Sequence, residues 1–290
     1  MYGKVGRAQL KTIYGRQYST KNNDKLTHSL TAALRVLSQI IQNSPPRTIS
    51  FDIICDAPDG HAVLYADAFF ELGDLRLSPG DPDSIPVNWK PLEAPGYKNG
   101  WGAVVFLKHR HFAKMKDPPF LPDGSVPEAI TFRGEVPADI LQRFCSRRAF
   151  IYFLEAWAQC MAIWTVAHLI EEPFIAFCDN EAAKHALVKG YGKDEGINAV
   201  FSIYWQACCQ QSCDPWIERV TSKDNPSDGV SRDDFEMAKS RKWHHYEIGT
   251  AEIWPILLRA IDDEQYAVAQ APGLITAALQ SQLPIRRRLD

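Results

Sequence analysis

This sequence has no Cys-x-x-Cys pair, no apolar signal core at its N-terminus and no excess of positive charge. Each absence removes a class of protein. The seven cysteines, Cys55, Cys145, Cys160, Cys178, Cys208, Cys209 and Cys213, are odd in number and sit in apolar runs. That is the pattern of reduced core thiols in a cytosolic or nuclear compartment, not of a disulfide framework. A zinc site is the weaker reading, because no histidine follows Cys208, Cys209 and Cys213 at finger spacing. The opening MYGKVGRAQLKTIYGRQYSTKNN lacks the apolar stretch of a secretory signal. No apolar run is read as reaching the roughly 20 residues of a membrane span, so no membrane partner is expected. The formal net charge is -3, so any nucleic-acid contact must come from local basic patches.

What is present is a core. With 46% hydrophobic residues over 290 positions, the chain can build one full core with extensions, or two small domains. Residues 1–25 read as a polar tail. Leu26, Leu30, Ala33, Leu34, Leu37 and Ile41 recur at helical spacing, and Pro45-Pro46 stops that helix. Strands are expected at 48–54, 61–70, 100–108, 130–136, 174–178 and 216–221. A surface insertion is expected at about 73–99. A long helix is expected over 138–169, and shorter ones over 180–189, 196–211 and from 227. Early strands joined without helices predict antiparallel hairpins, and later strands separated by helices predict parallel pairing. The expected fold is α/β: a mixed sheet flanked by helices, with N- and C-terminal helical extensions; the resemblance described below implies that five strands make up its sheet. The expected division is a tail and linker helix at 1–47, a domain at 48–235 and a helical extension at 236–290.

Four acids end up at or beside the edges of apolar segments: Asp67 in HAVLYADAFFE, Glu155 in FIYFLEAWAQ, Asp179 in PFIAFCDNEAA and Asp228 in NPSDGVSR. Asp67 and Asp179 fall near one another if their strands are parallel neighbours. Glu155 lies beside the apolar stripe of Ile151, Leu154, Ala158, Met161 and Ala162, and Asp228 occupies the first turn of the last helix of the domain. Each acid alone reads equally well as a turn, cap or solvated residue. Four together, with no matching set of Lys or Arg, would repel one another unless a divalent cation were shared. Hard oxygen ligands suit Mg²⁺, with Mn²⁺ as a substitute, and two such ions can clamp both oxygens of a phosphoryl displacement.

Those acids and their surroundings carry a resemblance. YADAFFE, then NGWGAVVF, FLEAWAQCMAI, FCDNEAAKHALVKG and WIERVTSKDNPSDGVSR together resemble a ribonuclease H domain of reverse-transcribing retroelements, of the DIRS-like or gypsy-like kind. The similarity spans about residues 48–235. It implies the ribonuclease H-like fold, with Asp67, Glu155, Asp179 and Asp228 as catalytic metal ligands. It also implies two Mg²⁺ ions, cleavage of the RNA strand of an RNA–DNA hybrid, and a reverse transcriptase domain as partner in cis or in trans. Asn180, Gly100, Trp101, Lys184 and Asn225 are its candidate substrate contacts. Lys108, Arg110, Lys189, Lys193 and Lys223 are weaker phosphate candidates, since most charged residues are simply solvated. The sequence departs from the family in three ways. No polymerase palm precedes the domain, the insertion is longer than usual, and no histidine near the last acid matches the one some members carry. A fragment, a decayed copy and a domesticated domain all fit that pattern. The rival reading is a non-catalytic nucleic-acid or protein-binding module on the same fold. An exonuclease is disfavoured because Ala68 and Phe69, not an Asp-x-Glu pattern, follow Asp67.

Overall fold

The sequence from Phe150 to Ile170 is apolar on every side, and such a helix must be covered all round. In the computed structural model it is the central core helix, with all but Tyr152 and His168 of its 21 residues buried. By length and composition this helix does qualify as a membrane span, which corrects the expectation that no run would. Here, however, 89% of its apolar window is buried inside the protein itself.

The structure describes residues 4, 6–18, 25–43, 60–72, 75–76, 90, 93, 96–144, 150–192, 195–247 and 285–286. In chain order these form α1 (Arg7–Gln17), α2 (His28–Asn43), β1 (Ala62–Leu72), β2 (Leu75–Arg76), β3 (Tyr97–Phe106), α3 (His109–Phe112) and β4 (Ala129–Gly134). There follow α4 (Ala138–Phe144), α5 (Phe150–Ile170), β5 (Pro173–Cys178), α6 (Glu181–Lys189), α7 (Glu195–Gln210) and β6 (Asp214–Arg219). Last come α8 (Ser227–Ser231), α9 (Glu236–Ser240), β7 (His244–Glu247) and β8 (Ile285–Arg286). The strand expected at 48–54, most of the insertion and the helices expected beyond 247 lie outside the described residues.

The sheet runs β6-β5-β1-β3-β4-β7-β8, with β2 paired to β1. Neighbours β1/β3 and β3/β4 are antiparallel, while β1/β5 and β5/β6 are parallel. The five strands β4-β3-β1-β5-β6 are the mixed sheet expected of a ribonuclease H-like fold, with β1 in the middle. Alternation along β1 sends Leu64, Ala66, Ala68 and Phe70 into the core with α5, and α7 packs on the other side of α5. The opposite face of β1, β3 and β4 carries α8.

Three segments differ from expectation. The polar tail contains α1, because a helix can be held by docking instead of by its own apolar stripe. Strand β3 starts at Tyr97, so the loop before it is shorter than 73–99. The C-terminal part is not helical alone: His244–Glu247 pairs parallel to β4. Four residues, two of them histidines, carry too little alternation to be read as a strand.

Candidate metal centre

The β1–β5 ladder is parallel, and its last pair is Tyr65 with Phe177. Two residues further along the same register, Asp67 stands beside Asp179. That is where β5 ends while β1 continues, still paired with β3. At the fork Gln159 of α5 binds one main-chain carbonyl from each strand. Its Nε2 donates to Phe177 O at 2.7 Å and to Ala66 O at 3.3 Å. Glu155 lies one helical turn before Gln159, so the same anchoring fixes its approach to the pair.

Asp67, Glu155 and Asp179 each offer one carboxylate oxygen, and the three oxygens lie within 4.8 Å of one another. Asp67 is 2% exposed and Glu155 5% exposed, while Asp179 is half-buried. Burial first, then the charges of Asp67, Asp179 and Asp228, hold the Glu155 carboxyl well above the usual carboxylate range, against one main-chain N–H from Ala68. Burial also raises Asp179; the Ser222 hydroxyl and Arg219 pull it down, and Asp228 pushes it up. Glu155 Oε2 has no hydrogen-bond partner among the described residues. Ser231 donates to Asp67 Oδ2 at 2.8 Å, which fixes that carboxylate's rotamer. A buried set of hard oxygen donors with an unpartnered member is compatible with a divalent cation.

Asp228 belongs to the rim of the group. It is close enough to raise both Glu155 and Asp179, but it stands outside the tight trio. Its Oδ1 accepts from Arg232 Nε at 3.1 Å, and Arg232 Nη1 also reaches Glu71 Oε1 at 3.4 Å. The expectation that the acids lack any cationic neighbour is therefore corrected: Arg232, inside the NPSDGVSR motif, is one, and Arg219 is another.

Helix α8 brings Asp228 and Ser231 to the sheet by pressing its backbone onto β3. A Cβ on Gly102 would lie 2.4 Å from Ser231 N, and one on Gly100 would lie 2.3 Å from Ser231 O. No side chain fits there, so these glycines are spacers under α8. Gly100 is buried beneath that helix and is not open to a substrate. Trp101 points to the other face and is fully buried in the main core, so its candidacy as a substrate contact is also corrected. A large aromatic between two glycines marks a strand pressed closely on one face and filled on the other.

Asn180 caps α6, its Oδ1 accepting from Ala183 N at 3.0 Å, and it is half-exposed beside Asp179. Lys184 is in an ion pair with Glu218 of β6. Asn225 is buried and holds the turn before α8, accepting from Ser227 Oγ at 2.6 Å and Ser227 N at 3.2 Å. Lys223 is exposed in the turn next to Ser222. Arg110 lies at the opposite end of β5, bound to Glu172, with Lys108 two residues before it. Lys189 ends α6, exposed, and Lys193 lies outside the described residues. Sequence reasoning did not single out Gln159, Ser231 or Arg232. The signal for Gln159 was a lone amide in an otherwise apolar helix, one turn after the acid.

Strand order and register are consistent with a ribonuclease H-like fold, and the acid trio at the fork is a candidate metal centre. No family model matches the sequence, and no curated protein matches it. Among solved structures it is similar to ribonuclease H1 from the halophilic archaeon Halobacterium salinarum NRC-1. Identity is 14% and the TM-score 0.34, over 62% of this chain and 100% of that one.

Proposed function

We propose that the chain is a divalent-metal-dependent endonuclease that cuts the RNA strand of RNA–DNA hybrids, of the retroelement ribonuclease H kind. The observation that carries this reading is the convergence of Asp67, Glu155 and Asp179 within 4.8 Å at the fork between β1 and β5. In this reading those three hold two Mg²⁺ ions, or Mn²⁺ in their place, with Asp228 closing the rim. Bound ions of this kind supply an acidified water as nucleophile and stabilise the departing 3′ oxygen.

The chain's own residues do the placing. Ser231 holds Asp67, Ser222 holds Asp179, and Gln159 keeps α5 seated against both strands. Arg232 offsets one of the two charges of Asp228 and Glu71, so the rim does not repel a phosphate as strongly as the acid count suggests. Asn180 spends its Oδ1 on capping α6, which leaves its amide nitrogen to donate to a substrate oxygen beside Asp179. Selection of RNA requires contacts to 2′-hydroxyls across the minor groove. We assign the chain to the cytoplasm or nucleus, acting with a reverse transcriptase domain in cis or in trans. The proposed division remains 1–47, 48–235 and 236–290.

The test is cleavage of a labelled RNA–DNA hybrid in Mg²⁺ by the wild-type chain and by Asp67→Asn and Asp179→Asn. RNA fragments with 3′-hydroxyl ends from the wild type alone are expected; equal cutting by all three defeats the assignment. One observation favours the second reading, a non-catalytic binding module: Arg232 already satisfies Asp228 without a metal. Calorimetric titration with Mn²⁺ separates the two, because a retired site takes up little metal.

A further inference from the structure

Glu71 and Asp228 share one guanidinium. Arg232 Nε donates to Asp228 Oδ1 at 3.1 Å, and Arg232 Nη1 donates to Glu71 Oε1 at 3.4 Å. The centre of that guanidinium lies 5.2 Å from the centre of the Phe69 ring. Asp67, Phe69 and Glu71 alternate onto one face of β1, and Ser231 of α8 meets Asp67 on that face. A Cβ on Gly100 would come 2.7 Å from the Phe69 ring and 2.3 Å from Ser231 O, so ring and helix end sit side by side. Arg232 is thus held by the strand as well as by its own helix.

A guanidinium binds a single carboxylate best, through two parallel N–H bonds, and dividing the fork between two partners gives up that geometry. The bond to Asp228 spans one helical turn between part-exposed side chains, a class of pair that contributes little. Arg232 therefore has a second resting place, on Glu71 and Phe69, that it can take at small cost. Asp228 need not move when it does. Its helix is pressed onto the β3 backbone and pinned by Ser231, and its charge already reaches Glu155 and Asp179. Standing outside the tight trio, Asp228 is a ligand for the rim, where a divalent cation and Arg232 compete for one carboxylate.

We infer that Arg232 is a positioning residue that gates the rim of the metal centre: on Asp228 it keeps a second divalent cation out, and withdrawn to Glu71 it lets one in. The inference deepens the metal-dependent reading above and rests on it, but not on hybrid cleavage. The trio fills independently of the gate. Occupation of the rim is coupled to a guanidinium that β1 receives, so Glu71 takes part in metal uptake without being a ligand.

The probe is Mn²⁺, titrated calorimetrically into the full metal-free chain. The unsubstituted protein should show a tighter and a weaker event. Arg232→Gln should tighten the weaker event about 10-fold, the scale on which supporting residues of metal sites act, and leave the tighter one unchanged. Arg232→Met keeps an unbranched stem over Phe69 and should do the same, which separates the gate from any loss of packing. Glu71→Gln should loosen the weaker event, and Glu71→Gln combined with Arg232→Gln should match Arg232→Gln alone. A through-space field without a gate makes the two changes add and shifts both events, and that result overturns the inference. So does an unchanged weaker event, or a loosened one in Arg232→Gln, the mark of a residue that orients Asp228 for the cation. Uptake by none of the proteins removes the metal reading and the gate together. The non-additive response in a chain that leaves a labelled RNA–DNA hybrid intact keeps the gate and removes the nuclease reading instead.

Discussion

Strand β5 is bracketed by two carboxylates with opposite surroundings. Glu172 stands just before it, and Asp179 just after. At Glu172, burial pushes the carboxyl up, but Arg110 and His111 outweigh it and hold it below its ordinary range. Arg110 Nη2 and Nε meet its two oxygens at 2.6 and 3.0 Å. His111 is held neutral by burial, accepts from Lys108 N on Nδ1 at 2.8 Å, and so donates through Nε2 to Glu172 at 2.9 Å. Every charge at this end has its complement. At the other end Asp179, Asp67 and Glu155 crowd one another, the Glu155 and Asp179 carboxyls are raised, and Glu155 Oε2 has no hydrogen-bond partner among the described residues. The same strand closes one end with an ion pair and leaves the other compatible with a cation, the asymmetry expected between a structural ion pair and a candidate metal site.

Exchanging one acid at each end should break that comparison most sharply. Glu155→Gln should cost at least ~10³-fold in hybrid cleavage, since a metal ligand's loss removes several kcal/mol of charge stabilisation. The melting temperature of the metal-free protein should hold or rise, because a buried, repelled carboxylate has gone. Glu172→Gln should do the reverse: about 2 kcal/mol lost in denaturant unfolding, as hydrogen bonds to a charged group are given up, with Mn²⁺ affinity unchanged. A loss of stability in the first variant, or of metal binding in the second, would contradict the division.

A smaller effect is expected from Gln159→Leu. It removes no ligand, yet it frees the carbonyls at the fork. Mn²⁺ affinity should fall about 10-fold, the scale on which supporting residues of metal sites act, and Gln159→Asn should recover part of it. An unchanged titration would show that the fork holds without the amide.

The smallest effect is in pH. Glu155 and Asp179 are raised from 4.5 and 3.8, so the metal-free fold binds their protons more tightly than the unfolded chain does. Their contribution is present below those values and is lost as pH rises through the folded ones. Glu172 and His111 are lowered from 4.5 and 6.5, so their contribution is present above those values and is lost as pH falls through the folded ones. Metal-free stability measured by urea titration should therefore slope oppositely for the two ends. Glu155→Gln or added Mn²⁺ should flatten the loss on rising pH, and Glu172→Gln the loss on falling pH. A wild-type curve insensitive to Mn²⁺ would count against a cation at the fork.

Much of this could be read from residues in order. Apolar segments ending in Asp67 and Asp179, with a helix between them, imply parallel neighbours, and the register puts the two side by side. Glu155, beside the apolar stripe of its helix, was legible as inward only together with the other acids. What the sequence hid depends on contacts across the fold. Gly100 and Gly102 were legible as unusual, but the reason, a helix lying directly on the strand, is not local. Ser231 and Gln159 are ordinary polar residues until their partners are known. Trp101 was legible chiefly as a core residue and only secondarily as a substrate contact, and alternation sends it into the core. Helix α1 was missed because docking at the end of α6 holds it in place of an apolar stripe.

At Gly100 and Gly102 the contact between β3 and α8 is main chain on both sides, with Val104 and Val230 packed in one cluster beside it. No rotamer exchange can loosen such a joint. Any displacement of Asp228 relative to Asp67 must move the whole of α8 as a unit, breaking the Ser231 bridge in the same event. A displacement of this rim would therefore be expected to show as shared exchange kinetics for the amides of Val230, Ser231 and Arg232.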